Sequence, residues 1–221
     1  ALHPPVPWFA PLSIAAAHPH APSARCRLAS LGVGGVASAA VRRCLYTLKQ
    51  LGYADSEANN FFLTPKILTL GYSYLSSTPL TIAAQPCLNQ VSRMLNESCS
   101  LAVLDDTDVL YVSRSATSRV MSVSLNAGSR LPAYCTSLGR VMLAAMSEDE
   151  LQAYFAKVSL RAFTDRTLVS EEALREVLIG VRQNGYAVVE EELEIGLCSI
   201  AVPVRGASGA TVAALNIGAQ S

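Results

Sequence analysis

Ala37-Ser38-Ala39-Ala40-Val41-Arg42-Arg43-Cys44-Leu45-Tyr46-Thr47-Leu48-Lys49-Gln50-Leu51-Gly52-Tyr53 sorts, at about 100° per residue, into two opposed faces. Val41, Cys44, Leu45, Leu48 and Leu51 fall on one side. Arg42, Arg43, Tyr46, Lys49 and Gln50 lie within about 120° of one another on the other. Such a helix buries an aliphatic stripe and presents cations, an aromatic hydroxyl and an amide, the groups that pair with phosphates and base edges. Ser38 is placed to cap its start and Gly52 to end it. Taken alone, the pattern also describes an ordinary solvated amphipathic helix.

The residues that follow separate the two readings. In residues 53 to 65 two short apolar edges flank the polar tip Ser56-Glu57-Ala58-Asn59-Asn60, which has the composition of a hairpin turn. Pro65-Lys66-Ile67-Leu68 then restarts a helical pattern, with Pro at a first-turn position where its missing N–H costs nothing. Basic helix, small hairpin and linker helix, in that order, make the recognition half of a winged helix-turn-helix.

These residues resemble the IclR family of bacterial transcriptional regulators. The resemblance is carried by V-R-R-C-L-Y-T-L-K-Q-L-G-Y at residues 41 to 53 and by F-x-L-T-P-K-I-L-x-L-G-Y-x-Y-L at 61 to 75. It continues through R-L-P-A-Y-C-T-S-L-G-R-V-M-L-A at 130 to 144, G-Y-A at 185 to 187, E-E-E-L at 190 to 193 and G-L-C-S-I-A-V-P-V at 196 to 204. It covers residues 37 onward and is particularly close to the branch that regulates protocatechuate, 4-hydroxybenzoate and β-ketoadipate catabolism.

Composition sets independent limits. A chain of 221 residues, 51% hydrophobic and 15% charged, can bury one domain-sized core with room for a smaller domain beside it. No apolar run of about 18 residues is free of charge and Pro, so no membrane span is expected. The start lacks the basic and apolar regions of a secretory signal. Cysteines 26, 44, 87, 99, 135 and 198 form no C-x-x-C pair, which points to reduced, mostly buried thiols in a cytoplasm. The net charge of zero hides an asymmetry: Arg25, Arg27, Arg42, Arg43 and Lys49 precede the first acidic residue, Asp55. A basic head on an acidic body suits phosphate neutralisation.

Residues 1 to 36 depart from the family pattern, in which two leucine-bearing helices brace the recognition helix. Six prolines between positions 4 and 22 break any long helix. Short helical turns are expected at most at residues 13 to 17 and 27 to 31. The abrupt change near Ala37 and the absence of an initiating Met point to a fragment or to a head read in the wrong frame. Gly32-x-Gly34-x-x-Ala37 also fits a dinucleotide-binding fingerprint, with Asp55 at the spacing of a ribose-binding acid. The preceding segment carries two charges and makes a poor buried strand, and no second βαβ unit follows.

From residue 81 the chain reads as a mixed domain. Residues 79 to 96 have helical spacing despite Pro86, with Ile82, Leu88, Val91 and Leu95 inward. Leu101 to Leu104, the acidic turn Asp105-Asp106-Thr107-Asp108 and Val109 to Val112 make a hairpin, and residues 121 to 125 alternate as a third strand. Helices are expected at 136 to 146, after the capping box Ser147-x-x-Glu150, and from Ser170 to Asn184-Gly185. Strands at 186 to 189, 200 to 204 and 211 to 217 follow, the last two joined by the turn at Gly206 to Gly209. This order favours an α+β domain with an antiparallel sheet, in agreement with the GAF-like effector domain that the resemblance implies. The expected organisation is an irregular head at 1–36, recognition helix and wing at 37–64, linker helix at 65–80 and effector-binding domain at 81–221.

Catalysis is disfavoured. His3, His18 and His20 all lie in the head, so the body has no His base and no His metal site. Nucleophile-elbow, Walker and His-Glu metal motifs are missing. Cys135 and Cys198 read as inert thiols, and Glu190, Glu191, Glu192 and Glu194 as a solvated strand end. No enzyme activity, cofactor or metal is expected. The family resemblance instead implies a ligand pocket whose positions here are Ala127, Gly128, Arg130, Tyr134, Thr136, Glu192, Cys198 and Asn216. In it Gly128 offers a backbone N–H and Arg130 a guanidinium fork to a carboxylate. Arg130 also reads as a surface arginine, and Tyr134 and Cys198 as core. A serine more common in the family is Gly218 here.

The resulting expectation is a ligand-responsive transcription factor. Ser38, Arg42, Arg43, Tyr46 and Lys49 contact double-stranded operator DNA and Asn60 approaches its backbone from the wing. The effector is a small aromatic or dicarboxylic acid of the protocatechuate, 4-hydroxybenzoate or β-ketoadipate class, and the assembly a homodimer or tetramer. The alternatives are a sensor domain without DNA activity and, least favoured, a dinucleotide-dependent enzyme through Gly32-x-Gly34.

Overall fold

In the computed structural model, which describes residues 27–28, 38–57, 60–116 and 125–220, the chain divides into two units, residues 1–74 and 75–221. The first contains β1 (Arg27–Leu28), α1 (Ser38–Gln50), β2 (Ala54–Glu57) and β3 (Asn60–Leu63). The hairpin after the basic helix is present, β2 pairing antiparallel with β3 from Ala54↔Leu63 to Glu57↔Asn60. Arg27 and Leu28 add a third strand against Phe62 and Phe61. At these two residues that corrects the helical turn expected at 27 to 31, the rest of which lies outside the described residues: an edge strand leaves backbone donors and acceptors unpaired, and an extended segment satisfies them. The expected turn at 13 to 17 and the Gly32-x-Gly34 fingerprint lie outside the described residues.

The end of α1 follows its sequence. Gly52 adopts φ +77°, which lets the Tyr53 N–H return to the Leu48 carbonyl at 2.9 Å and close the helix terminus. Lys66 Nζ donates to the Leu51 carbonyl at 2.8 Å, placing a cation at the negative end of the helix. On the expected apolar stripe, however, Cys44 and Leu51 are exposed, Leu45 and Leu48 are partly covered, and the Val41 side chain lies outside the described residues.

Helix α2 (Ile67–Ser77) leads into α3 (Pro79–Leu95). Of the inward positions expected on α3, Leu88 is fully buried and Val91 partly so, whereas Ile82 is 58% and Leu95 54% exposed. The buried ridge runs through Thr81, Leu88 and Ser92 instead. Ile82 sits about 120° around the helix from Leu88, and Leu95 is the last helical residue, beyond the edge of what α3 covers.

The larger unit is built on a six-stranded antiparallel sheet of order β6-β5-β4-β9-β8-β7. Its strands are β4 (Ser98–Asp105), β5 (Asp108–Ser115), β6 (Arg130–Pro132), β7 (Ala187–Glu190), β8 (Leu197–Arg205) and β9 (Thr211–Gln220). Helix α3 covers one face, where Leu88 packs on Cys99, Leu101, Val112 and Ala213. The other face carries a single 3-10 turn (Ala133–Cys135), α4 (Ser137–Ala144), α5 (Glu148–Lys157) and α6 (Glu171–Asn184). The result is the α+β architecture expected. The caps are those written in the chain: Ser147 and Glu150 close a reciprocal capping box on α5, and α6 runs from the Ser170 cap to Gly185 at φ +77°. The third strand expected at 121 to 125 lies, up to residue 124, outside the described residues.

One irregularity aims a side chain. In the β4–β5 ladder Leu101 pairs with Ser113 but Ala102 pairs with Tyr111, so Val112 is an extra residue. A bulge of this kind reverses the in–out alternation beyond it. Tyr111 faces α4, Ser113 bonds Gln85 of α3 at 2.5 Å, and Arg114 returns to the α4 side opposite Ser100.

Candidate functional site

Between the sheet and the turn that opens α4 lies a partly open cavity of about 40 Å³. Its floor follows from strand register. Ser98 and Ser100 project from alternate positions of β4; Gly218 and Asn216 lie beside them on β9, Arg114 beside Ser100 on β5, and Ser199 beside Gly218 on β8. Tyr111, Leu125, Leu131, Cys135, Thr136, Val189, Leu193 and Leu197 complete the wall. Thr136 caps α4, its Oγ1 accepting from the Gly139 N–H at 3.1 Å, so the positive end of that helix borders the space.

The electrostatics of this space are unbalanced. Arg114 Nη1 donates to Ser100 Oγ at 3.2 Å, but its Nε is buried with no hydrogen-bond partner. Asn216, 8% exposed, buries an Oδ1 that is equally unpartnered. Among the described residues no carboxylate pairs with Arg114, and desolvation pushes its guanidinium below the usual arginine range. An arginine nevertheless stays charged in a protein. Unmet buried donors and acceptors cost stability, and such groups mark places where a ligand or water completes the bonding.

Of the positions carried over from the resemblance, Thr136 and Asn216 line this cavity and the other six do not. Arg130 is exposed and engages Asp105 and Asp108 at the β4–β5 turn. Ala127 borders an open cleft beside Thr81 and Gln85. The Gly128 N–H donates to the Tyr111 carbonyl at 2.7 Å. Tyr134 is core, its hydroxyl donating to the Arg161 carbonyl at 2.7 Å and accepting from the Arg161 N–H at 3.0 Å. Cys198 alternates with the cavity-lining Leu197 and Ser199 and faces away from the space.

Glu192 is buried, not part of a solvated strand end: Glu191 takes φ +57°, and the chain reversal sends the Glu192 carboxylate inward to Arg140 Nη2 at 2.6 Å. Residues missed from the sequence are Arg114, Ser98, Ser100 and Ser199. A usable signal existed in Ser98-Cys99-Ser100-Leu101, where small polar residues alternate with apolar ones on a central strand.

On α1, Arg42, Arg43 and Tyr46 are exposed. Lys49 turns to the wing, donating to Ser56 Oγ at 2.6 Å and pairing with Asp55 at 3.5 Å. Tyr46 meets the Phe61 ring edge-on at 5.4 Å. Asn60 is exposed at the start of β3. The Ser38 side chain lies outside the described residues.

Chemistry at sulfur is unfavourable here. Burial pushes the Cys135 thiol up to about 12 and the Cys99 thiol up to about 11, so neither supplies a thiolate at neutral pH. Cys44 and Cys87 are exposed, not buried as expected, because each sits on the side of its helix that no described element covers. Alkylation at neutral pH should label Cys44 and Cys87 and spare Cys99 and Cys135 until the chain unfolds, as mass spectrometry would read. The folded chain keeps protons on the last two that an unfolded chain releases from about pH 9, so stability should fall as pH rises from there. No group of three or more metal-ligating side chains occurs among the described residues, and none of their helices is long and apolar enough to cross a membrane.

Residues 72–221 match the family model of the bacterial transcriptional regulator IclR C-terminal domain. This chain belongs to the IclR family. It is 53% identical over 180 residues to the Pca regulon regulatory protein of Pseudomonas putida, covering 81% of this chain and 62% of that one. It thus spans under two thirds of that relative's length. A solved transcriptional regulator from Rhodococcus sp. RHA1, RHA06195, superposes with a TM-score of 0.71 at 48% identity, covering 82% of this chain and 73% of that one. The inducer-binding domain of an Acinetobacter PobR double mutant, solved with 3-hydroxybenzoic acid, superposes with a TM-score of 0.58 at 37% identity, covering 62% and 81%. The family match contains every residue that lines the cavity.

Proposed function

We propose that this chain is a ligand-responsive transcription factor of aromatic-compound catabolism. The larger unit senses a small organic acid in the cavity beneath α4, and α1 with its wing reads operator DNA. The observation that carries the reading is the cavity itself: a half-buried arginine whose Nε is buried and unpartnered, beside an unpartnered amide oxygen, asks for an anionic ligand. The relatives support the same class, one regulating a Pca regulon and one having been solved with a hydroxybenzoic acid. At about 40 Å³ the cavity is far smaller than the ~300 Å³ at the lower end of small-molecule sites. Binding an aromatic acid therefore requires part of the cavity wall to withdraw.

In the DNA-reading half, Arg42 and Arg43 are the exposed cations of α1, whereas Lys49 and Tyr46 brace the wing. An Arg43→Ala variant should lose about 1–3 kcal/mol of operator affinity if the residue meets a base edge. Fluorescence anisotropy on a fragment of the chain's own promoter region, across a salt series and with and without protocatechuate, 4-hydroxybenzoate and β-ketoadipate, measures this. Unchanged affinity and salt slope would count against the recognition role of α1. A sensor without DNA activity is the second reading, favoured by the exposure of Cys44 and Leu51 on the side of α1 that a brace should cover. Its signature is ligand-induced thermal stabilisation with no DNA binding.

The proposed assembly is a homodimer or tetramer. Helix α2 buries none of its side chains, and Leu68 and Tyr72 are more than 70% exposed on it. Apolar side chains left so open on one helix mark an interaction surface.

A further inference from the structure

Among the described residues the cavity holds a fully buried donor, Arg114 Nε–H, and a fully buried acceptor, Asn216 Oδ1, that are unmet, and the register fixes where they stand. Ser100 pairs laterally with Arg114 on one side and with Asn216 on the other. The two side chains thus rise from strands on either side of β4, roughly 10 Å apart at the backbone, with Ser100 between them. Arg114 reaches this face only through the bulge at Val112, which spends a ladder position to turn the guanidinium inward. Its Nη1 is fixed on Ser100 Oγ, leaving the Nε–H for an acceptor from outside the chain. Asn216 Oδ1 is an acceptor and needs an O–H or N–H donor.

A neutral ligand with only acceptors would leave Asn216 unmet, and an acid without a hydroxyl would do the same. The two groups that the resemblance put forward for the carboxylate are already engaged: Arg130 with Asp105 and Asp108, and the Gly128 N–H with the Tyr111 carbonyl. Leu125, Leu131 and Leu193 supply apolar wall for the body between a ligand's polar ends.

We propose that Arg114 is the carboxylate anchor of this cavity and Asn216 its hydroxyl reader, so that the site selects a hydroxy acid whose two polar groups lie on opposite sides of Ser100. This rests on the effector-sensing half of the proposed function. Arg114 sets the preference for acid over uncharged analogue, and Asn216 the preference for hydroxylated over plain acid. Each preference is separable from the other and from folding.

The test is calorimetric titration of the full chain with 3-hydroxybenzoate, 4-hydroxybenzoate, protocatechuate and β-ketoadipate, then with the amide and, where the ligand carries a hydroxyl, the deoxy analogue of whichever binds tightest. Arg114→Met and Arg114→Gln should weaken the acid about 10–100-fold and leave the amide nearly unchanged. Arg114→Lys should keep the acid preference. Asn216→Leu should erase the preference for the hydroxylated acid and keep that for acid over amide. Circular dichroism and melting curves identify any variant that fails to fold, and the remaining variants carry the comparison.

Binding of an acid by the native chain with the acid–amide ratio unchanged in both charge-removing variants leaves the sensing reading standing and overturns the anchor. A preference of the native chain for β-ketoadipate over the hydroxylated acids, or a preference for the hydroxylated acid that Asn216→Leu does not alter, overturns the hydroxyl reader. Failure of every probe to bind the native chain overturns the sensing reading, and the anchor with it.

Discussion

A Gly139→Ala variant should lose about 4 kcal/mol of stability in the unit spanning residues 75–221, an effect at the upper end of single substitutions. Gly139 is the third residue of α4, and a Cβ there would run into the carbonyl oxygen, Cα and carbonyl carbon of Ala133. All three are backbone atoms of the 3-10 turn, so no side chain can swing aside. Either α4 lifts from the turn or the turn leaves the sheet, and both moves strip the packing of Leu138 and Tyr134, which are 0% and 1% exposed. The Thr136 cap on the Gly139 N–H would stretch with them. In a unit of this size the loss corresponds to a melting temperature lower by about 8–16 °C. Gly180 in α6 is the matched control. An added Cβ meets nothing within 4 Å there, and alanine should stabilise by about 0.5–1 kcal/mol through helix propensity. Thermal melts of the two variants against the native chain measure both. An unchanged melting temperature for Gly139→Ala would mean that the turn and α4 are not in close contact.

The contrast between those glycines shows what a linear reading reaches. Helix ends were legible wherever a local rule governs them: Ser147 with Glu150 opening α5, Ser170 opening α6, Gly185 closing it and Gly52 closing α1 each act within a few residues. The β4–β5 hairpin was equally plain, because an acidic turn separates two apolar runs. The candidate site was harder, since it depends on parity across strands. Strict alternation from Val109 and Tyr111 puts Arg114 on the α3 face, and only the extra residue Val112 reverses it. Nothing local distinguishes that bulge from regular strand. Glu192 was illegible for a related reason. Four acidic residues in a stretch of five look solvated, but the left-handed turn at Glu191 buries one of them. Strand β6, three residues ending in Pro132, is too short for periodicity to register at all. On α1 the contacts divide the polar face that the sequence lays out, with Lys49 and Tyr46 turned to the wing and Arg42 and Arg43 exposed.

Removing the buried carboxylate by Glu192→Ala should cost about 3–5 kcal/mol, because it leaves the Arg140 guanidinium charged in a space that water does not reach. Arg140 is 3% exposed and Glu192 6%. The carboxylate does more than neutralise: its Oε2 also accepts from the Leu168 N–H at 3.1 Å, while the Glu192 carbonyl accepts from Thr167 Oγ1 at 2.5 Å. Arg140 in turn donates through Nε to the Tyr134 carbonyl at 3.0 Å. The pair thus ties α4, the 3-10 turn and the segment before α6 to one point, next to the cavity-lining Leu193. Deleting both charges with Arg140→Met and Glu192→Leu should recover much of the loss, since two uncharged side chains incur no desolvation of ions. Recovery should stop short of the native value by about 1–3 kcal/mol, because the Leu168 N–H and the Tyr134 carbonyl lose a partner in the double variant as well. A double-mutant cycle in denaturant separates the two contributions. Strictly additive single-variant losses would show that the charges do not compensate one another. A large coupling with incomplete recovery would show that Glu192 serves as both counter-ion and backbone anchor, and would explain why a residue beside the cavity wall is held in place before any ligand arrives.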